Sequence, residues 1–317
     1  MRDEMLVLGR RDLEGLAVTP SEVVEVLEDA FRQKAAGLVQ NPPKPTVKPR
    51  PDAFMNAMPA YLGGSDRAGI KWVSGFEGNR EQGLPYIYGA FLLSDAGTGR
   101  PLALMDGGWI TEMRTAGVSG VVLRHVAPVR RRLAIVGCGA QGRRHLEFIL
   151  SERPGIEEVR AFDRRPAAVS TLLEGAGGRR SVEARSVREA LEGADVVVTA
   201  VTVQLPDEDR TADGVDDDAV LLPIDYSDSI GPPVANAATC FAVDDLAQYR
   251  SMASEHFDGF REPDAELAQV VAGAVVVPDT GRRLFMNLGI AMDDVALGAL
   301  VYERARARGA GTTIAFP

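Results

Sequence analysis

Residues Arg132–Asp163 constrain the fold more than any other stretch of this 317-residue chain. The apolar run Leu133-Ala134-Ile135-Val136 reads as a buried strand, and Gly137-Cys138-Gly139-Ala140-Gln141-Gly142 follows it at once. A helical stretch comes next, from Arg143 to about Leu150, with Leu146, Phe148, Ile149 and Leu150 apolar. A second strand, Val159-Arg160-Ala161-Phe162, then ends on Asp163. Strand, glycine turn, helix, strand and acid in this order point to a dinucleotide-binding unit. Gly137 permits the tight turn, Gly139 lets the backbone approach a pyrophosphate, and Gly142 lets helix and strand pack closely. The helix N-terminus offers unpaired N–H groups and a partial positive charge to phosphates. Asp163 stands where an acid accepts hydrogen bonds from the adenosine ribose. A carboxylate there repels a 2′-phosphate, so the expected cofactor is NAD; Arg164 and Arg165, next in the chain, keep NADP as the alternative.

A chain of this length suggests two domains, and its composition, 45% hydrophobic and 25% charged, is that of a globular protein. The formal charge of -10, with no stripe of Lys and Arg interleaved with aromatics, argues against a nucleic-acid partner. No apolar run reaches the length of a membrane span, and the charged N-terminus lacks a signal-peptide core. The two cysteines, Cys138 and Cys240, suit a reducing compartment and have no metal-site spacing. The expectation is a cytoplasmic protein without a membrane or metal.

Thr19-Pro20-Ser21-Glu22 opens the first clear helix as a capping box, with Val23, Val24, Leu27, Ala30 and Phe31 at helical spacing behind it. The proline-rich stretch Pro42–Pro51 is extended. From Phe54 to about Leu104 the pattern predicts short strands broken by glycine turns, followed by a helix from about Ile110 to His125. Strand–helix alternation then runs from about Val129 to near Asp279, with sheet strands at 133–136, 159–162, 195–200, 219–224 and 240–243. A last helix, about Ala291 to Arg308, has no partner elements of its own and is expected to fold back on the N-terminal half. This predicts an α/β protein in which a Rossmann dinucleotide-binding domain, 128–287, is inserted into a second α+β substrate and dimerisation domain, 1–127 with 288–317. The cofactor would then run into the cleft between domains.

Three cations stand out beyond the glycine turn: Lys71 in the apolar strand Gly69–Val73, Arg114 in a small-residue helix start, and Lys44 in the proline-rich approach. A charge in an apolar strand must snorkel, pair or bind something. These residues lie within longer runs: Met58–Leu62, Gly69–Val73, Asn79 with Gly83-Leu84-Pro85, Thr98–Asp106, Arg114-Thr115-Ala116, Gly137–Gln141, Asp244–Gln248 and Asn287–Asp294. Taken together the chain resembles the ornithine cyclodeaminase/μ-crystallin family over nearly its whole length. The resemblance implies a homodimer joined through the substrate domains, with an interface in about residues 1–125. It also implies that Lys71 binds a substrate carboxylate or imine and moves protons, and that Arg114 lies between that carboxylate and the cofactor. Thr115, Ala140, Gln141 and Asp163 match cofactor positions, while Asn287 and Leu288 match the pair lining nicotinamide and substrate. Thr199 and Val201 join Gly137, Gly139, Gly142 and Arg164 in the cofactor set.

Departures from the family pattern bear on the substrate. The acid that holds the distal amine of ornithine is Asn56 here, which cannot neutralise a cation. The substrate arginine of the proline-rich segment has no counterpart; Pro45 is nearest, between Lys44 and Lys48, and a family threonine is Tyr86. The catalytic aspartate position falls on Ser227, flanked by Asp225 and Asp228 at the end of a sheet strand. His125, His145 and His256 form no pair that suggests chemistry. The resulting expectation is a nicotinamide-dependent oxidoreductase interconverting a small L-amino acid and its imine or 2-oxo acid. Lys71 and Arg114, with Asp225 or Asp228, would be its catalytic residues, and Lys44, Asn56 and Leu288 its substrate contacts. The alternatives are a redox-neutral cyclodeaminase using bound NAD and a non-catalytic crystallin-like binder.

Overall fold

In the computed structural model, which describes residues 4–126 and 131–316 and every side chain there but that of Arg80, the chain divides into two compact units. One comprises residues 1–114 with 290–317, and the other residues 115–289. The sequence-based boundary at 127/128, like the start of the alternation at Val129, lies outside the described residues.

The first unit is built on an eight-stranded sheet. Its order is Thr312–Ala315, Glu4–Leu8, Pro101–Asp106, Ile87–Asp95, Arg67–Phe76 and Ala53–Leu62, with the short strands Val39–Gln40 and Thr46–Arg50 both pairing along Ala53–Leu62. Every pair is antiparallel except Glu4–Leu8 with Pro101–Asp106. The central strands are not short: Ala53–Leu62 and Arg67–Phe76 each have ten residues. Glycines that read as breaks lie inside the strands because packing requires them. A Cβ on Gly69 would lie 2.7 Å from the Phe91 ring, and one on Gly75 would lie 2.4 Å from the Phe54 ring.

Period-two alternation gives this sheet two faces. Asn56, Met58, Ala60 and Leu62 are buried along one strand, as are Lys71, Val73 and Gly75 along the next. That face is covered by the helix Ala291–Arg308, which packs on the three central strands and on the helix Pro20–Ala35. The latter starts as the capping box predicts: the Glu22 N–H donates to Thr19 Oγ1 at 3.3 Å, and the Thr19 N–H donates to Glu22 Oε2 at 2.9 Å. On the opposite face Ile70, Trp72 and Tyr88 are exposed.

The second unit holds an eight-stranded sheet that is parallel throughout. Its order is Arg180–Glu183, Glu158–Phe162, Arg132–Val136, Val196–Thr199, Val220–Pro223, Arg283–Met286, Cys240–Val243 and Ala265–Glu266. The five strands expected from the sequence are present. Arg283–Met286 inserts between two of them, out of chain order. The order reverses between Arg132–Val136 and Val196–Thr199, the switch point where doubly wound sheets bind ligands beyond the strands' carboxyl ends. The helix Gly107–His125 begins before the predicted start, so Arg114 lies in its body. His256, in a segment whose polar sequence predicts a loop, closes the helix Leu246–His256 instead. Among the described residues no helix is long and apolar enough to cross a membrane.

The C-terminal helix approaches the sheet closely at Gly298, where an added Cβ would come within 2.2 Å of the fully buried Phe91 ring. Gly298→Ala would gain about 1 kcal/mol of helix propensity but overpack a site that cannot relax, which costs about 1–3 kcal/mol. The expected outcome is a net destabilisation and a lower Tm by calorimetry; a Tm equal to or above wild type would show that the helix stands off the sheet.

Candidate active site

Lys71 sits mid-strand, paired in register with Met58 on one side and Phe91 on the other, so alternation aims it at the covered face. Its side chain is 0% exposed. A lone ammonium there would be prohibitively costly, and the counter-charge comes from the C-terminal helix. Lys71 Nζ donates to Asp294 Oδ1 at 2.7 Å, and Arg114 Nε forms an ion pair with the same oxygen at 3.4 Å. Asp294 is fully buried and Arg114 nearly so. Burial, the largest influence, pulls the Lys71 pKa down; Asp294 pulls it up, and the Arg114 and Lys44 charges push it down again, leaving it at about 7. Lys44 is thus within electrostatic reach of Lys71. Asn56, on the same face and opposite Val73, accepts a hydrogen bond from the Thr46 hydroxyl at 2.7 Å.

In the second unit, backbone shape dominates. Gly137 has φ +97, and a Cβ there would meet Ala200 O at 2.5 Å. A Cβ on Gly142 would meet Gly137 O at 2.1 Å, so turn and helix touch main chain to main chain. At Gly139 a Cβ would meet nothing within 4 Å. Gly139 is the N-cap of the helix Ala140–Glu152 and supplies no side-chain cap. An uncapped 13-residue helix start facing open space is chemically suited to a pyrophosphate. Asp163 accepts from the Cys138 N–H and the Arg165 N–H, each at 2.9 Å, and from Arg165 Nε at 3.2 Å. Burial raises its pKa, but the hydrogen bonds from Arg165 and Cys138 outweigh burial, and the net pKa is lowered. Arg165 is therefore engaged by Asp163, while Arg164 is exposed beside it. These groups fit a dinucleotide with a free ribose diol.

Asp225 does not stand open. Its carboxylate accepts from the hydroxyls of Thr199 at 3.0 Å and Ser229 at 2.7 Å, and from the Val201 N–H at 2.9 Å. It therefore ties the ends of the strands Val196–Thr199 and Val220–Pro223 together and shapes the loop that carries Val201. Burial pushes its pKa up to about 6 against the pull of these donors. Asp228 is half-buried. Between them, Tyr226 adopts φ +56 and donates its hydroxyl to the Leu288 carbonyl at 3.2 Å. Asn287 Nδ2 donates to Thr115 O at 3.2 Å, and its Oδ1 accepts from the Gly289 N–H at 3.0 Å, which also donates to Asp244 Oδ2 at 2.8 Å. His145 is a core residue, its ring nitrogens 2.9 Å from Gln141 O and 3.1 Å from Ser119 Oγ.

Within the first unit the fold thus joins Lys71 and Arg114, with Lys44 and Asn56 on hand. Within the second it gathers the glycine turn with Asp163, Thr199 and Val201 with Asp225, and Thr115 with Asn287. Sequence reasoning missed Asp294. Its signal was an acid pair, Asp293-Asp294, inside the otherwise apolar run Ala291–Leu297; acids in a first helical turn read ordinarily as dipole partners.

The ornithine cyclodeaminase/mu-crystallin family model matches residues 3–309. Among curated relatives, the nodulation efficiency protein NfeD of Rhizobium meliloti is 32% identical over 316 residues, with 98% of each chain covered. Among solved structures, the Thermococcus litoralis Delta(1)-pyrroline-2-carboxylate reductase in complex with NADH and L-proline is 29% identical with a TM-score of 0.88, covering 98% of this chain and 100% of that one. An archaeal alanine dehydrogenase dimer with bound NAD is 28% identical, also with a TM-score of 0.88, covering 99% and 100%.

The raised pKa of Asp225 carries a stability prediction. Because the folded value, about 6, exceeds the ordinary 3.8, the native state holds this proton more tightly than the unfolded chain. The stabilisation is complete below pH 3.8 and lost as pH rises through 6, a change of about 3 kcal/mol. Asp225→Asn stays neutral, so its stability relative to wild type should rise by up to that amount between pH 4 and 6.5 in urea titrations. A pH-independent difference would show that the carboxyl titrates normally.

Proposed function

The chain belongs to the ornithine cyclodeaminase/mu-crystallin family, and from that premise we propose that it is a nicotinamide-dependent oxidoreductase interconverting a small L-amino acid and its imine or 2-oxo acid. The observation that carries this reading is the buried Lys71–Asp294–Arg114 cluster. It presents two cations against one acid, in a setting too dry for surface lysines or arginines. Similarity to a reductase solved with NADH and L-proline and to an alanine dehydrogenase solved with NAD supports the same reaction class.

In this reading NADH supplies the reducing equivalent at the substrate carbon. Arg114 and Lys71 clamp the substrate carboxylate, the guanidinium by a planar, bidentate pair. During reduction an Nζ–H bond of Lys71 breaks as the substrate N–H bond forms, and neutral Lys71 is re-protonated from water. Oxidation runs the same transfer backwards. A pKa of about 7 suits a group that works in both directions. The main-chain N–H groups at Gly139–Gly142 hold the pyrophosphate, Asp163 the adenosine ribose, and Thr115, Thr199, Val201 and Asn287 the remainder of the cofactor. Leu288 and Asn56 line the substrate, and Asp228 is the candidate acid for stabilising the iminium. The neutral Asn56 disfavours ornithine and hence the cyclodeaminase alternative. Thr115 apart, substrate functions are assigned to 1–127 with 288–317 and cofactor functions to 128–287. Two buried free thiols suit a cytoplasmic setting.

A homodimer belongs to the proposal. The similar archaeal enzyme is a dimer, and the uncovered sheet face presents Ile70, Trp72 and Tyr88 at 38%, 42% and 47% exposure. Three large apolar side chains on one flat face suit a twofold partner better than water.

Lys71→Met, which keeps the shape, should lower kcat/KM by about two to four orders of magnitude while NADH affinity stays within about twofold. In the wild type, reduction should slow as pH rises above about 7 and oxidation should speed up through the same value; wild-type kinetics in the variant would leave Lys71 a packing residue. Fluorescence titration should find NADH bound more tightly than NADPH, and the reverse order would remove Asp163 from the ribose. Light scattering should report twice the 33.9 kDa chain mass, falling to the monomer in Trp72→Glu. A wild-type monomer at micromolar concentration would refute the dimer.

A further inference from the structure

Asp294 is the one member of the buried cluster to which the reaction assigns no task. We propose that Asp294 is a positioning residue that locks the Lys71 ammonium and the Arg114 guanidinium into one unit, and keeps Lys71 able to carry the proton that the substrate nitrogen receives. This inference rests on the oxidoreductase reading above and deepens it.

Geometry carries the assignment. One oxygen, Oδ1, serves both cations, Lys71 Nζ at 2.7 Å and Arg114 Nε at 3.4 Å. Arg114 is thus approached through Nε and not through its outer fork, and its buried Nη1 has no hydrogen-bond partner. A bidentate pair with Asp294 would have used up the edge that recognises a carboxylate; the observed contact leaves that edge for the substrate. Asp294 Oδ2 is likewise buried without a hydrogen-bond partner. The three groups carry a net charge of +1, which a single substrate carboxylate neutralises.

Asp294 is the fourth residue of the helix Ala291–Arg308, inside the positive end of the helix dipole. That first turn is itself held, since the Met292 N–H donates to Asn41 Oδ1 at 3.0 Å. The charged groups that act on Lys71 come from three elements: Asp294 on the C-terminal helix, Arg114 on the helix Gly107–His125, and Lys44 on the segment before Thr46. Without Asp294, burial and the Arg114 and Lys44 charges all oppose protonation of Lys71. The amine would then be neutral through most of the working range and unable to donate in the reductive direction.

The test is a comparison of Asp294→Asn and Asp294→Glu in the full-length protein with NADH bound. The expected result for Asn is an acid shift of one pH unit or more in the pH limit of reductive kcat, with about a tenfold loss of kcat at pH 7.5. KM for the carboxylate substrate should not rise, and NADH affinity should be unchanged. Glu, which restores the charge, should return the pH limit toward wild type even if the rate stays low. An unshifted pH limit in Asn, or equal losses in kcat and KM in both variants, would overturn the proposal and leave Asp294 structural. If the single variants unfold, Lys71→Met with Asp294→Asn answers the same question without turnover. A double variant that melts above Asp294→Asn alone shows the two charges acting as a pair, and additive losses of Tm sink it. Because melting needs no substrate, a wild type inactive with every imine would defeat the oxidoreductase reading alone.

Discussion

Three charges, on Lys71, Arg114 and Asp294, share an almost fully buried volume, and much of the first unit follows from how that is tolerated. Stripping an ion of solvent costs several kcal/mol, recovered only where opposite charges meet in fixed geometry. The lysine comes from the centre of a ten-residue strand, the aspartate from a helix 223 residues later in the chain. The sheet must therefore form, and the C-terminal helix must dock on it at the right height, before the cations are compensated. Gly298 against Phe91 sets that height, and the hydrogen bond from the Met292 N–H to Asn41 Oδ1 anchors its first turn. Compensating the buried charges and packing the core are the same problem.

The second unit solves a different one. It provides main-chain N–H groups and close backbone contacts, and its buried aspartates Asp195, Asp225, Asp244 and Asp245 each accept a hydrogen bond from a backbone N–H. Gly137, Gly139 and Gly142 perform three separate tasks, a left-handed turn, an open approach and a tight helix contact, each visible in what a methyl group would strike. Asp225 stabilises this arrangement from behind, joining two strand ends through hydroxyls and one N–H. It is a buried carboxylate that shapes a loop. Tyr226, left-handed without being glycine, carries local strain in the same turn and spends its hydroxyl on the Leu288 carbonyl.

How much of this was legible in the sequence depends on the range of the forces involved. The capping box at Thr19–Glu22, the glycine turn with its flanking strands, and the helix Ala291–Arg308 are local patterns, and each stands where it was expected. The strands between Phe54 and Leu104 were misjudged in length, since Gly69 and Gly75 look like breaks. Nothing local says that Phe91 and Phe54 occupy the space their side chains would need. Arg283–Met286 was missed for a related reason, because a four-residue strand inserted out of chain order has no signature of its own.

The sequence by itself determined the two-unit α/β architecture, the glycine turn with the acid that follows its second strand, and the cations Lys71 and Arg114 as residues that must find partners. Those are properties of spacing and of residue chemistry. Only the tertiary structure decided which partner they find, that Asp225 turns inward while Asp228 stays half-buried, and that one sheet face is covered while Trp72 remains on the other. Pairing of buried charge is settled by distances of a few ångströms between segments hundreds of residues apart, and no periodicity along the chain encodes such a distance.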